Sequence, residues 1–328
     1  MTRVYRPILL DRPASMAAPL AGGWARFTEV EEITRHGRRR IAADAIPSEA
    51  FDRLTRPRSD LAGLSWDAPR VMGILNVTPD SFSDGGAFLG RDAAIDQATR
   101  MRDEGAEILD IGGESTRPGA DFVPAEEEIA RTRPVLEALK AVAVPKSIDT
   151  RKAPVATAAL NAGAAIVNDV SGLTFDADMA RVVAESAAPV CIMHAQGDPK
   201  TMQADPHYDD VVLDVYDWLE DAVTRAEAAG IPRDRIIVDP GIGFGKTLDH
   251  NLALLRDLAV FHGLGCVLLL GASRKRFIGT LTGEDRADAR GAGSVGVALI
   301  AAQKGAQILR VHDVRDTVHA LTMARETL

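Results

Sequence analysis

From Val71 onward, short apolar runs alternate with longer segments whose apolar residues recur at helical spacing. The runs are 71–76, 107–112, 145–149, 165–169, 189–194, 235–239, 266–271 and 307–312. They are rich in Val, Ile and Leu and too short for helices, so they read as buried strands. The intervening segments predict helices over 92–104, 126–141, 153–162, 177–186, 209–229, 249–261, 287–304 and 314–326. Pro154 sits in the first turn of one, where proline is tolerated, and Gly163 follows its end. Gly230-Ile231-Pro232 stops another. Eight successive strand–helix units predict an α/β fold, a (β/α)8 TIM barrel spanning 69–328. The alternative is an open doubly wound sheet, which would carry a Gly-rich dinucleotide turn after its first strand. That position holds Asn76-Val77-Thr78-Pro79 instead.

Residues 1–68 break the pattern. They are rich in Arg and Pro, with Arg38-Arg39-Arg40 and Arg56-Pro57-Arg58. Trp24–Ile33 reads as a strand and Pro47–Leu54 as a helix. This N-terminal extension is an appended layer or partly ordered arm, or else a regulatory or oligomer-contact element; the sequence leaves both open.

The strand ends carry the chemistry. The first run passes into Asn76-Val77-Thr78-Pro79-Asp80-Ser81-Phe82-Ser83-Asp84-Gly85-Gly86, and others end in Asp110-Ile111-Gly112-Gly113-Glu114-Ser115-Thr116-Arg117, Asp149, Asn168-Asp169, His194, Asp239-Pro240-Gly241, Ser273-Arg274-Lys275 and Arg310-Val311-His312-Asp313. In a barrel all these ends open onto one face. Asp149 and Asp239 terminate apolar strands, and a buried carboxylate is costly without donors. They brace loop amides, or they hold a ligand with several N–H groups. Asn168 adds an amide that can both donate and accept. Together they suit a heterocycle with an aminopyrimidinone edge. Arg310 and His312 alternate on one strand and face the same way, as an anion site requires; alone, they would read better as surface ion-pairing groups, but beside Asn76, Arg117 and the Gly-rich turns the anion site is favoured.

Composition narrows the class. The chain has 328 residues, 46% of them hydrophobic and 26% charged, as in ordinary globular proteins. Its net charge of −9 argues against coating a nucleic acid. No apolar stretch reaches the length of about 20 residues needed to span a membrane. Ile8-Leu9-Leu10 is cut off by Asp11-Arg12-Pro13 and reads as no signal peptide. Cys191 and Cys266 lie inside apolar runs, as buried thiols of a reducing cytoplasm would.

Two motifs mislead. Gly241-Ile242-Gly243-Phe244-Gly245-Lys246-Thr247 resembles a phosphate-binding loop, but that pattern needs glycine where Pro240 stands. Gly271-Ala272-Ser273-Arg274-Lys275 resembles a nucleophile elbow, but Lys275 occupies the second glycine position. Ser273 therefore reads as a turn or cap residue. His194 and His207 read as packed or solvated histidines rather than catalysts.

The blocks Asn76–Gly86, Gly112-Gly113-Glu114-Ser115-Thr116-Arg117-Pro118-Gly119, Asp239-Pro240-Gly241-Ile242-Gly243-Phe244 and Arg310-Val311-His312-Asp313-Val314 resemble those of the dihydropteroate synthases, a pterin-binding barrel family. The resemblance covers about Val71 to Leu328. It implies a transferase of folate biosynthesis that joins 6-hydroxymethyl-7,8-dihydropterin diphosphate to 4-aminobenzoate, giving 7,8-dihydropteroate and diphosphate. It further implies Mg2+, a homodimer and competition by sulfonamides. By motif, Asn76 would ligate Mg2+, and Asp149, Asn168 and Asp239 would hold the pterin, with Lys275 on its polar edge. Thr116 would bind substrate. Arg310 and His312 would grip the diphosphate, with Arg310 also stacking on the ring. Phe82, Asp84, Arg117 and Pro118 would lie in two loops that complete the aminobenzoate pocket. Arg276 departs from relatives that place a small hydroxyl residue there to receive the aminobenzoate carboxylate.

Negative charge developing on a leaving diphosphate is where cations act most, so the resemblance implies Arg310, His312 and Lys275 as the catalytic groups. Carbon–oxygen cleavage ahead of attack by the weakly basic arylamine is the expected order. Two other readings share the pterin-holding acids: a methyltransferase acting on methyltetrahydrofolate, which would not need the Arg310/His312 anion grip, and a non-catalytic pterin-binding paralogue, against which the intact loop motifs speak.

Overall fold

The computed structural model describes residues 3–10, 16–77, 86–115, 120–197 and 201–327. An N-terminal layer comes first. Strands β1 (Arg3–Leu9), β2 (Ala18–Pro19), β3 (Arg26–Thr34) and β4 (Gly37–Ala42) form an antiparallel sheet, and helix α1 (Ser48–Thr55) follows. The predicted strand over 24–33 and helix over 47–54 are both present; β1, β2 and β4 had no clear apolar signature in the sequence. β4 is Gly-Arg-Arg-Arg-Ile-Ala and almost wholly exposed, a charged edge that discourages further pairing.

The alternating segments fold into eight parallel strands closed into a barrel. The strands are β5 (Arg70–Asn76), β6 (Ile108–Gly112), β7 (Lys146–Asp149), β8 (Ile166–Asp169), β9 (Val190–Met193), β10 (Ile236–Asp239), β11 (Val267–Leu270) and β12 (Ile308–Val311). Their order follows the chain, and β12 pairs with β5 to close the ring. The helices are α2 (Gly86–Asp103), α3 (Ala125–Ala138), α4 (Ala153–Asn161), α5 (Met179–Ser186), α6 (Val211–Ala228), α7 (Leu248–Arg256), α8 (Arg276–Thr282), α9 (Gly291–Gln303) and α10 (Val314–Thr327). Thus the (β/α)8 TIM barrel expected from the sequence is the observed fold. α8 is an additional short helix before α9, and the predicted helix over 249–261 ends early as α7 and continues as a 3-10 segment, Leu258–Leu264.

Side-chain alternation sorts each strand into two faces. One set, including Val71, Leu75, Leu109, Ile111, Ile148, Val167, Ile192, Val238 and Leu268, packs against the helices. The other fills the barrel: Met72, Ile108, Ile166, Cys191, Ile237, Val267, Leu269 and Ile308 form a separate buried cluster. Leu61 and Trp66 close that cluster at the strands' amino-terminal end. The indole Nε1–H of Trp66 donates to the carbonyl of Ser59 at 2.8 Å, so its polar edge is satisfied. The N-terminal layer is fastened to the barrel wall as well: Arg38 pairs with Asp257 at 2.8 Å, Arg35 with Asp214 at 2.7 Å and Arg53 with Glu220 at 2.8 Å. Arg58 donates to the carbonyls of Cys266 and His262, each at 3.0 Å. Both cysteines are buried and unpaired.

Candidate active site

The inward face of the barrel changes character toward the strands' carboxyl ends. Two residues beyond Ile74 comes Asn76; beyond Ile108, Asp110; beyond Ser147, Asp149; beyond Ile166, Asn168; beyond Ile237, Asp239; beyond Ile308, Arg310 and then His312. The period of two that puts apolar groups in the floor therefore puts polar groups at the mouth.

Arg310 organises the centre. Its Nε donates to Asp110 Oδ2 and its Nη2 to Asp149 Oδ2, both at 2.6 Å. Asn168 Nδ2 donates to the same Asp110 oxygen at 3.1 Å. The second oxygens, Asp110 Oδ1 and Asp149 Oδ1, are buried and have no hydrogen-bond partner among the described residues. Two orphaned acceptors side by side are costly unless a ligand supplies donors. Opposite them, Asp239 Oδ1 accepts the Gly241 N–H at 2.7 Å, so this carboxylate does brace its loop with one oxygen.

Glycines keep the space between these groups open. A Cβ at Gly112 would sit 3.6 Å from Asp149 Cβ and 3.8 Å from Asn76 Oδ1. One at Gly271 would sit 3.5 Å from Asp239 Oδ2 and 3.7 Å from Arg310 Cδ. Asn76 is thereby placed beside Asp149, and Asp239 beside Arg310.

Lys275 enters from the loop after β11. Its ammonium donates to the carbonyl of Ile242 and lies 4.5 Å from the centroid of the Phe244 ring. Burial pulls its pKa down to about 8, against the attraction of Asp239. Burial pushes the Asp239 carboxyl upward, with Lys275 the main opposing charge. Asp149 is likewise raised by burial, opposed by Arg310.

The supporting loops have identifiable anchors. In the turn that mimics a phosphate-binding loop, Gly241 has φ +68° and a Cβ there would come within 1.8 Å of the His194 carbonyl oxygen, so no other residue fits. Lys246 is buried. Its Nζ lies 2.9 Å from His194 Nδ1 and donates to the carbonyl of Phe244 at 3.0 Å. His194 is therefore a packed histidine whose proton affinity burial lowers well below the ordinary imidazole range. His207 is 84% exposed and stands 3.8 Å from Asp209. Asp169 faces out of the barrel and accepts from Ser171 and Leu173 backbone N–H groups at 2.7 and 3.0 Å, bracing its own loop. Glu114 joins both sides of the second loop's base, accepting from Lys152 at 2.8 Å and from the Val123 N–H at 3.0 Å.

The structure thus brings Asn76, Asp149, Asn168, Asp239, Lys275, Arg310 and His312 to one mouth. Thr116, Arg117, Pro118, Phe82 and Asp84 lie outside the described residues. Arg276 begins α8 and is exposed. Asp110 was not singled out from the sequence, although it shares the inward parity of Asp149 and Asp239. Phe244 and Lys246 were given no role of their own, and Ser273 was read as a turn or cap residue. Their signals were hidden in motifs read as decoys.

Comparison with known proteins decides the family. The profile described as "Pterin binding enzyme" matches residues 72–312. Dihydropteroate synthase of Escherichia coli K12 is 48% identical over 266 residues, 81% of this chain and 94% of that protein. The chain belongs to the dihydropteroate synthase family. A probable bifunctional folylpolyglutamate synthase/dihydropteroate synthase of Haloferax volcanii is 52% identical over 258 residues, 79% of this chain but 30% of that longer protein. Two structures of the Xanthomonas albilineans dihydropteroate synthase superpose closely. One, with 4-aminobenzoic acid, has a TM-score of 0.77 at 50% identity, covering 83% of this chain and 99% of that one. The other, with 7,8-dihydropteroate, has a TM-score of 0.75 at 47% identity, covering 83% and 100%. The family match begins after the N-terminal layer and ends before α10, so it leaves out both.

Proposed function

We infer that the chain is a transferase that condenses 6-hydroxymethyl-7,8-dihydropterin diphosphate with 4-aminobenzoate, releasing 7,8-dihydropteroate and diphosphate. The observation that carries this reading is the polarity of the mouth. Acids and cations interleave there: Arg310 bridges Asp110 and Asp149, whose other oxygens have no partner among the described residues, and the Asn168 amide, Asp239, Lys275 and His312 stand around them. A pterin offers N–H donors to acids at its pyrimidinone edge, and its diphosphate needs cations. The methyltransferase and paralogue readings give way to the one that uses both the acids and the cations. The membership in the family favours it too.

In the reaction the carbon–oxygen bond to diphosphate breaks, its electron pair leaving with the diphosphate. The arylamine nitrogen bonds to the methylene carbon and loses a proton. Arg310 and His312 would stabilise the departing charge, and Asp149, Asn168 and Asp239 would hold the ring, with Lys275 at its polar edge. Arg310 rests on Asp110 and Asp149 here, so a bound pterin would compete with it for Asp149 and turn it toward the ring face and the diphosphate. Thr116 would contact substrate, and Phe82, Asp84, Arg117 and Pro118 would complete the aminobenzoate pocket.

Among the described residues, no group of three or more His, Cys, Asp or Glu is arranged to hold a metal. The donor set still fits Mg2+, which is commonly held by one or two protein oxygens with substrate phosphates and water. Asn76 Oδ1 at the end of β5 would be the protein's contribution. When bound, the ion supplies further charge stabilisation to the diphosphate.

A homodimer is supported by the outer face of α9, apolar on nearly every side. Ile300 is 47% exposed, with Leu281 and Met323 at 57% and 62% on the adjacent α8 and α10. A second copy of the chain would cover this patch. No described helix is long and apolar enough to cross a membrane, and two unpaired thiols suit a cytoplasmic location. Sulfonamides would compete with aminobenzoate. The test is a diphosphate-release assay with both substrates and Mg2+: release that depends on intact Arg310 and Asp239 supports the reading, and pterin binding without any release contradicts it.

A further inference from the structure

Ser273 is not a nucleophile, yet it faces the centre of the chemistry. It is 8% exposed. Its Oγ lies 3.0 Å from His312 Nδ1 and receives the backbone N–H of His312 at 3.2 Å. A hydroxyl has one hydrogen to donate and two lone pairs. The backbone N–H fills one lone pair. The hydroxyl hydrogen then needs an acceptor, and among the described residues His312 Nδ1 is the one within reach. A hydrogen on Nδ1 would reverse this contact and strand the serine hydrogen in a buried place.

The serine cannot easily turn away, because its loop is pinned. Arg274, with φ +59°, holds a conformation rare outside glycine. Its N–H donates to Ser294 Oγ at 2.8 Å, and its guanidinium is bidentate on Asp313, the residue after His312. The loop after β11 and the end of β12 are therefore one locked unit.

We propose that Ser273 is a positioning residue that fixes neutral His312 as its Nε2–H tautomer. This rests on the reading that His312 meets the diphosphate. The Nε2–H tautomer offers an anion a donor; the other tautomer would offer it a lone pair.

The test uses the full chain with isotope-labelled histidine, observed by NMR on the alkaline side of the His312 titration. The His312 signal is assigned by its loss in His312→Gln. The expected pattern is Nε2–H. Ser273→Ala should shift the tautomer ratio toward that of free imidazole and weaken inorganic diphosphate binding about tenfold, as loss of one hydrogen bond to a charged partner does. Affinity for dihydropterin without phosphates should stay the same, and Ser273→Thr should restore both properties. An Nδ1–H pattern in the unmodified protein overturns the proposal even if Ser273→Ala fails to fold. An unchanged tautomer ratio in a folded Ser273→Ala overturns it too. Absence of diphosphate binding to the unmodified protein would instead strike the functional reading, leaving the tautomer measurement to decide the serine's part.

Discussion

At the scale of single residues, the site depends on a few charges held out of water. Arg310 is the clearest case, since it neutralises two buried carboxylates and would stabilise the leaving group. Removing one preorganised charged contact costs about 2–4 kcal/mol in a transition state. Arg310→Ala should therefore lower kcat/KM by about 10²–10³-fold, measured as diphosphate release. Asp239→Ala should abolish pterin binding in a calorimetric titration while Asp169→Asn, altered on the outward face, should leave binding intact. Lys275 gives a pH signature. Its ammonium is the form that can donate to a pterin carbonyl, and burial lowers its pKa to about 8. Proton loss above that value removes the donor, so kcat/KM for the pterin substrate should fall as pH rises through about 8. Lys275→Arg should abolish this alkaline limb, because a guanidinium stays charged. A limb unchanged in that variant would assign the ionisation elsewhere.

At the scale of elements, the strands were legible because their physics is local. Eight short apolar runs with polar ends gave every barrel strand to within a residue or two of its observed limits, from 71–76 against Arg70–Asn76 to 307–312 against Ile308–Val311. The same parity places Asn76, Asp149, Asn168, Asp239 and Arg310 on one face. What the sequence hid was tertiary. Asp110 looked like any strand residue until Arg310, 200 positions away, was seen on it. Ser273 and Lys246 looked like fragments of failed motifs, and their partners, His312 and His194, come from other strands. β1 and β4 escaped because their charged residues pair across the sheet rather than alternating with apolar ones, as Arg6 with Glu31 does at 2.9 Å. Element geometry also yields a prediction. The turn after β10 passes so close to His194 that Gly241→Ala must displace the loop carrying Phe244 and the carbonyl that holds Lys275. Binding of aminobenzoate in the presence of diphosphate and dihydropterin should be lost in that variant, with the far-UV circular dichroism of the barrel retained.

At the scale of the whole molecule, the N-terminal layer is part of the folded body. Leu61 and Trp66 seal the barrel floor, and ion pairs from Arg6, Arg35, Arg38 and Arg53 tie the sheet and α1 to the wall. Surface pairs of this kind contribute about 0–1 kcal/mol each, so the seal matters more than the pairs. Trp66→Ala should lower unfolding stability in urea by about 3–5 kcal/mol, the range for emptying a buried large aromatic site. Pterin affinity should be unchanged, because the floor and the mouth lie at opposite ends of the strands. If the proposed dimer forms through α9, Ile300→Glu with Met323→Glu should lower the mass in sedimentation velocity to that of one chain; an unchanged dimer mass would overturn that contact. The central claim is that one mouth both holds a pterin and releases its diphosphate. Its most direct measurement is the stoichiometry of products when the purified chain is given pterin diphosphate, 4-aminobenzoate and Mg2+. Equal amounts of diphosphate and dihydropteroate are expected, abolished by Asp239→Ala and strongly slowed by Arg310→Ala; no dihydropteroate from a protein that binds both substrates would contradict the account.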